Sequence, residues 1–254
     1  MEVALKVPPL EEADTVVLDP RATRLHPRPI SLLTVEARQL QSLLTATDAS
    51  ARDRPLLLRR IAEDNVELAS AAESEVRAAA ESGDDATVRA KRGVAISARR
   101  AAIDAYRALV VQTWNVPYAK MDEAEWYLAL ECARAGDVEW AQYAYRLVRE
   151  HPTSPFTPRA YLLFGALFAA QATTDPSKHA AAAQAFSRAA QSSNAELAQR
   201  AHVRLERESP AAGDPASEVP TTTPPVATDR GCTTDLQCKG ARICQGGKCV
   251  DPSE

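Results

Sequence analysis

From Ser31 to about Glu208, apolar residues recur at three- and four-residue intervals almost without a break, the spacing of one face of an α-helix. Glycine enters that span only at Gly83, Gly93, Gly136 and Gly165. The period and its interruptions predict helices at roughly 31–47, 53–82, 84–113, 120–135, 137–150, 157–171, 177–191 and 195–208. The second and third are unusually long. The second has Pro55 near its first turn, where a missing N–H is no loss. It runs to Gly83, which suits a left-handed C-cap, and Asp84 or Asp85 can cap the helix that follows. The two fold back as an antiparallel pair. That pairing sets Glu63, Asp64, Glu67, Glu73, Glu75 and Glu81 against Arg89, Lys91, Arg92, Arg99, Arg100 and Arg107. Exposed ion pairs contribute about 0–1 kcal/mol each, so such pairing sets register more than stability.

Outside this span the period disappears. Residues 1–30 contain Pro8, Pro9, Pro20, Pro27 and Pro29 and predict an extended N-terminal arm. Residues 209–231 carry five prolines and three consecutive threonines, too little apolar matter for a core, and read as an extended linker. Residues 232–254 then form a separate cysteine-rich module, and 31–208 is the helical domain. All 13 aromatic residues lie between Tyr106 and Phe186, which places the best-packed core in that segment. The net charge of -4 argues against nucleic acid or an anionic membrane surface as partner. No stretch approaches the roughly 18 uninterrupted apolar residues of a transmembrane helix. The fold class is therefore all-α.

Within the aromatic segment, "AEWYLALECARAGDVEWAQYAYRLVREHP" reads as two helices meeting at Gly136-Asp137. Small residues at Ala129 and Ala141 alternate with large ones at Leu128 and Tyr145, a scheme that lets helices approach closely. The next segment repeats it. Phe164, Gly165 and Phe168 answer Leu128, Ala129 and Cys132, while Ala182, Phe186 and Ala189 answer Ala141, Tyr145 and Val148. This resembles the tetratricopeptide repeat over roughly residues 53–208, with "LLRRIAEDN" and "AAIDAYRAL" as halves of a stretched unit and "AQRAHVRLER" as a capping helix. Pro152 comes one residue early for the family pattern, and Glu125 stands where its bulky first residue belongs.

The resemblance implies a superhelix of helical hairpins whose first helices line a concave protein-binding groove. The matching positions are Arg59, Glu63 and Glu67 in the stretched unit, Glu123, Trp126, Leu130 and Arg134 in the next, and Arg159 and Leu162 in the last. Trp126 has two readings. In the groove it would be a binding hot spot, and one position away it would fill the core site itself. The junction "REHPTSPFTPRAYLLFG" is similar to those of periplasmic repeat proteins in bacterial envelope machinery, which implies a scaffold or adaptor role.

The tail holds Cys232, Cys238, Cys244 and Cys249, four of the five cysteines, as C-x5-C-x5-C-x4-C. Zinc sites usually take closer pairs, and the tail has no histidine, so two disulfides are expected and no metal. Gly246-Gly247 suits a two-residue hairpin turn. Four cysteines allow three pairings. The tail also resembles short cysteine repeats appended to secreted or surface proteins of envelope-rich bacteria, and that resemblance implies 232–244 with 238–249. Disulfides persist in oxidising compartments, which points to the periplasm or cell envelope. The first 20 residues are acidic and proline-broken and lack the pattern of a signal peptide, so the cytoplasm is the alternative.

Catalytic signatures are missing: there is no glycine-rich phosphate loop, H-E-x-x-H or G-x-S-x-G. His26, His151, His179 and His202 are scattered, and Cys132 reads as a small core residue. The sequence thus reads as a non-catalytic adaptor, without cofactor, for proteins or peptides of the cell envelope. A secreted binding module that recognises through its cysteine-rich tail is the alternative. A cytosolic co-chaperone clamp fits poorly, because the clamp's Lys, Arg and Asn positions hold residues such as Glu63, Trp126, Leu130, Leu162 and Ala166.

Overall fold

Helix ends are where this chain's turn chemistry acts first. Gly83 takes φ +76° and bonds back to Ala79 and Ala80, while Asp84 Oδ1 accepts from the Thr87 N–H at 3.0 Å. A long helix is thereby closed and the next opened within three residues. Gly136, at φ +75°, closes a second helix in the same manner, with the Asp137 N–H bonded to the Cys132 carbonyl at 2.9 Å.

The computed structural model describes residues 17–23, 28–111 and 118–208, and the backbone of 243–245 and 248–250. Eight α-helices follow one another among them: α1 (Ile30–Ala46), α2 (Arg54–Ser82), α3 (Asp85–Val111), α4 (Met121–Ala135), α5 (Trp140–Glu150), α6 (Thr157–Ala172), α7 (Lys178–Ala189) and α8 (Ala195–Glu208). The all-α expectation holds. Each helix from α1 to α8 packs on its neighbour in sequence, most extensively α2 on α3, and α6 also touches α8. Two units divide the chain, residues 1–210 and 211–254. In the second, β1 (Ile243–Gln245) and β2 (Lys248–Val250) pair antiparallel, with Cys244 opposite Cys249. The linker, Cys232 and Cys238 lie outside the described residues, as do the side chains of Cys244 and Cys249.

The main core runs from α2 to α8 and is richest in large side chains around Tyr106, Trp126, Leu128, Trp140, Leu163 and Phe186. Tyr127 packs against Tyr106 and Phe156, and Phe164 packs against Trp140 and Phe168. A smaller cluster of Leu33, Leu68, Ala69 and Ala98 fastens α1 to the long pair. Helix α4 is central: all ten residues from Ala124 to Ala133 are buried.

Two expectations need correction. On α5 the buried positions are Trp140, Tyr143, Ala144 and Leu147, whereas Tyr145 is 60% exposed. The packing register is therefore one residue from Ala141, Tyr145 and Val148. Both registers offer an aromatic and an aliphatic residue, and only the larger area of Trp140 separates them. The charge-matched faces of α2 and α3 pair only in part. Lys91 meets Glu75 at 2.6 Å and Arg99 meets Glu73, but Asp64 turns to Arg28 and Arg60, and Arg107 turns to Asp104, Asp137 and Glu139. Arginine reaches several carboxylates, so complementary faces do not fix partners.

On α6 and α7 the small-against-large scheme is visible directly. A β-carbon on Gly165 would lie 2.5–2.9 Å from three atoms of the buried Phe186 ring. The ring cannot retreat, because Phe186 is fully enclosed. Gly165→Ala is expected to cost about 1–3 kcal/mol by overpacking, read as a lowered midpoint in urea with little change in slope.

Candidate peptide groove

The predicted groove positions are not empty. Residues 17–21 of the arm lie across α4 and reach α3 and α6, and their described backbone is helical rather than extended. Val17 and Leu18 are helical, Asp19 is not, and Pro20–Thr23 forms a 3-10 turn. A helix end leaves carbonyls without intrahelical partners. Here the Trp126 indole N–H donates to the Leu18 carbonyl at 3.2 Å, and Arg159 Nε donates to the Val17 carbonyl at 3.2 Å. Val17 and Leu18 are buried in the main core.

Next to these contacts lies a buried knot of charge. Asp19 accepts from Arg21 at 2.8 and 3.0 Å and from Arg134 at 2.7 Å. Glu131, wholly buried on α4, meets Arg21 at 2.6 Å, Arg134 at 3.0 Å and Arg99 at 3.2 Å. Arg21 also donates to Tyr106 Oη at 3.2 Å and sits 3.9 Å from the centre of the Tyr127 ring. Burial pushes the Asp19 carboxyl up, but Arg21 and Arg134 outweigh it and hold it at about 2. The same contest lowers Glu131, with burial opposed by Arg21, Arg134 and Arg99. Both are carboxylates at neutral pH.

The remaining groove positions divide. Arg59 bonds to Glu63 at 2.9 Å and to Glu123 at 2.7 Å, tying α2 to α4, with Tyr118 Oη at 3.4 Å. Glu67 receives Arg28, the residue two before α1, at 2.8 and 3.0 Å. Leu130 and Leu162 are buried core residues. Trp126 is also fully enclosed, so the core reading describes its burial, and its indole N–H still marks where the arm docks. Sequence reasoning missed Asp19, Arg21, Arg99, Tyr106 and Glu131. The apolar run Val16-Val17-Leu18 beside Asp19, in an otherwise proline-broken arm, was the one available signal.

No family model, curated protein or solved structure matches the chain. Among the described residues no helix is long and apolar enough to cross a membrane. None of their His, Cys, Asp and Glu side chains gather in a group of three that could hold a metal ion. Burial, reinforced by Asp137, pushes the Cys132 thiol up to about 12, so it is a protonated core group rather than a nucleophile.

One further carboxyl stands apart from the groove. Glu125 on α4 is fully buried, and neither of its oxygens has a hydrogen-bond partner. Arg146 Nε lies 2.8 Å away, near enough for an ion pair but not aligned as a hydrogen bond, and His151 Nε2 is at 3.6 Å. Burial pushes its carboxyl up to about 7; Arg146 opposes this, while Glu150 and Asp122 add to it. The folded value thus exceeds the ordinary 4.5, so stability is lost as pH rises from about 4.5 to about 7, then levels off. Glu125→Gln is expected to be more stable than the parent by on the order of 2 kcal/mol at pH 8, with the gain shrinking as pH falls through about 7 and largely gone by about pH 4.5. Urea titrations at the two pH values check it.

Proposed function

We propose that the protein is a non-catalytic adaptor, a tetratricopeptide-like superhelix of helical hairpins that binds proteins or peptides of the bacterial cell envelope. The observation that supports it most is convergence. Trp126 and Arg134 on α4 and Arg159 on α6 all close on a single segment of chain, Val17–Asp19. Two of them read backbone carbonyls and the third reads a carboxylate. Side chains on successive first helices of a repeat array hold peptides in this way. The tail, closed by two disulfides, and the envelope location belong to the same reading.

Capture of the tagged chain from its native host, with and without residues 232–254, tests this proposal. The expected result is the same set of envelope proteins in both cases. Loss of the partner on deleting the tail would favour the alternative, a module that recognises through its cysteines. Thiol mapping of the captured protein should find Cys132 reduced and the four tail cysteines paired. Four free tail thiols would overturn the disulfides and the periplasmic location together.

A further inference from the structure

The arm shows what the groove selects. Its contacts fall into two kinds. Trp126 and Arg159 address the carbonyls of Leu18 and Val17, across 108 and 142 residues of sequence, and any helix end offers such carbonyls. Selectivity comes from the other contacts: the buried Val17 and Leu18 side chains, and Asp19 against Arg134. If the arm only completed the core, apolar side chains would serve as well, because buried ion pairs add specificity more readily than stability.

Arg159 also lines an open recess of about 800 Å³, bounded by Pro152, Tyr161, Arg188 and Asn194. Among the described residues no carboxylate lies within ion-pair distance of Arg159 or Arg188, and burial lowers the Arg159 guanidinium despite Tyr127 and Asp19. That recess favours an acidic group on whatever segment reaches it.

We infer that the groove is a receptor for a partner segment of the arm's own chemistry: two aliphatic residues in helical conformation followed by aspartate, with a further acidic residue for the recess. The arm is the resident competitor. This rests on the adaptor reading and names its partner's chemistry. A tethered arm competes at an effective concentration on the order of millimolar, so the full chain binds such segments weakly until the arm is displaced.

The experiment uses a fluorescein-labelled peptide of residues 11–23, EEADTVVLDPRAT, and measures anisotropy. The full chain carrying Leu18→Glu with Asp19→Lys, which spoils the arm and leaves the groove intact, should bind it at least about ten-fold more tightly than the parent. Replacing the aspartate that corresponds to Asp19 by asparagine in the peptide, or Arg134→Gln in the chain, should remove most of that gain. In a second full-length variant, a protease site inserted between Thr23 and Arg28 is cut and the severed arm left in place. Labelled peptide should then exchange into it. No binding to the folded arm variant, or no exchange into the cut chain, would overturn the inference. Concentration-dependent dimers of the parent would overturn it too, by showing that the groove takes the arm of a second copy. If envelope proteins are still captured when the peptide fails, the adaptor reading survives and only the partner chemistry falls.

Discussion

Trp126→Ala lowers the stability of the folded chain by about 3–5 kcal/mol, seen as a large fall in melting temperature. The side chain is completely enclosed between Leu18 of the arm and the α4 core. Truncation leaves a cavity of indole size in a helix that buries ten consecutive residues. It also strips the Leu18 carbonyl of its donor, and a buried carbonyl without a partner adds about 1–3 kcal/mol where water cannot enter. Trp126→Phe separates the two effects, because it keeps most of the volume and removes only the N–H. An unmoved melting curve for Trp126→Ala would mean that the tryptophan lies in an open groove and that the arm does not cover it.

Glu131→Gln is the second large effect, again about 3–5 kcal/mol, because three arginines lose the one carboxylate they share. The amide matches the carboxylate in shape, so the loss is electrostatic. Acid should reproduce part of it. Asp19 stands at about 2 in the folded chain against 3.8 ordinarily, and Glu131 is lowered as well. Depressed carboxyls contribute stability above their unfolded values, and that contribution is lost as pH falls through the folded ones. For Asp19 alone this is about 2 kcal/mol, disappearing between about pH 4 and pH 2. Asp19→Asn should flatten the acid limb of the stability profile, measured by urea unfolding at successive pH values. An acid limb unchanged by that substitution would contradict the knot.

The helices were legible because their punctuation is local. Gly83, Gly136 and Pro55 act within one turn of where they stand, and the observed ends fall within about three residues of the expected ones. Register on α5 was less legible, since Trp140, Ala144 and Leu147 lie one residue before Ala141, Tyr145 and Val148 and both sets keep the helical spacing. The buried acids were legible only in part. Glu125 stands at a position that the resembled repeat fills with a bulky residue, but Glu131 looks like any exposed glutamate on a helix, and what retains it is arginines from the arm and from α3, 110 and 32 residues away in sequence. The arm misled for a related reason. Its prolines predict extended chain, but two aliphatic residues beside an aspartate met a complementary surface on α4, and tertiary contact overrode local preference. The groove positions came from a family resemblance; that most of them are already engaged, by the arm or by each other, could not be read from spacing.

Proton NMR on the intact chain shows whether Val17–Arg21 packs over α4. The Trp126 indole N–H is expected to exchange slowly with solvent and to show nuclear Overhauser contacts to the Leu18 methyl groups, both lost in the Leu18→Glu, Asp19→Lys variant. An indole proton that exchanges freely in the parent, with no contact to Leu18, would contradict that packing.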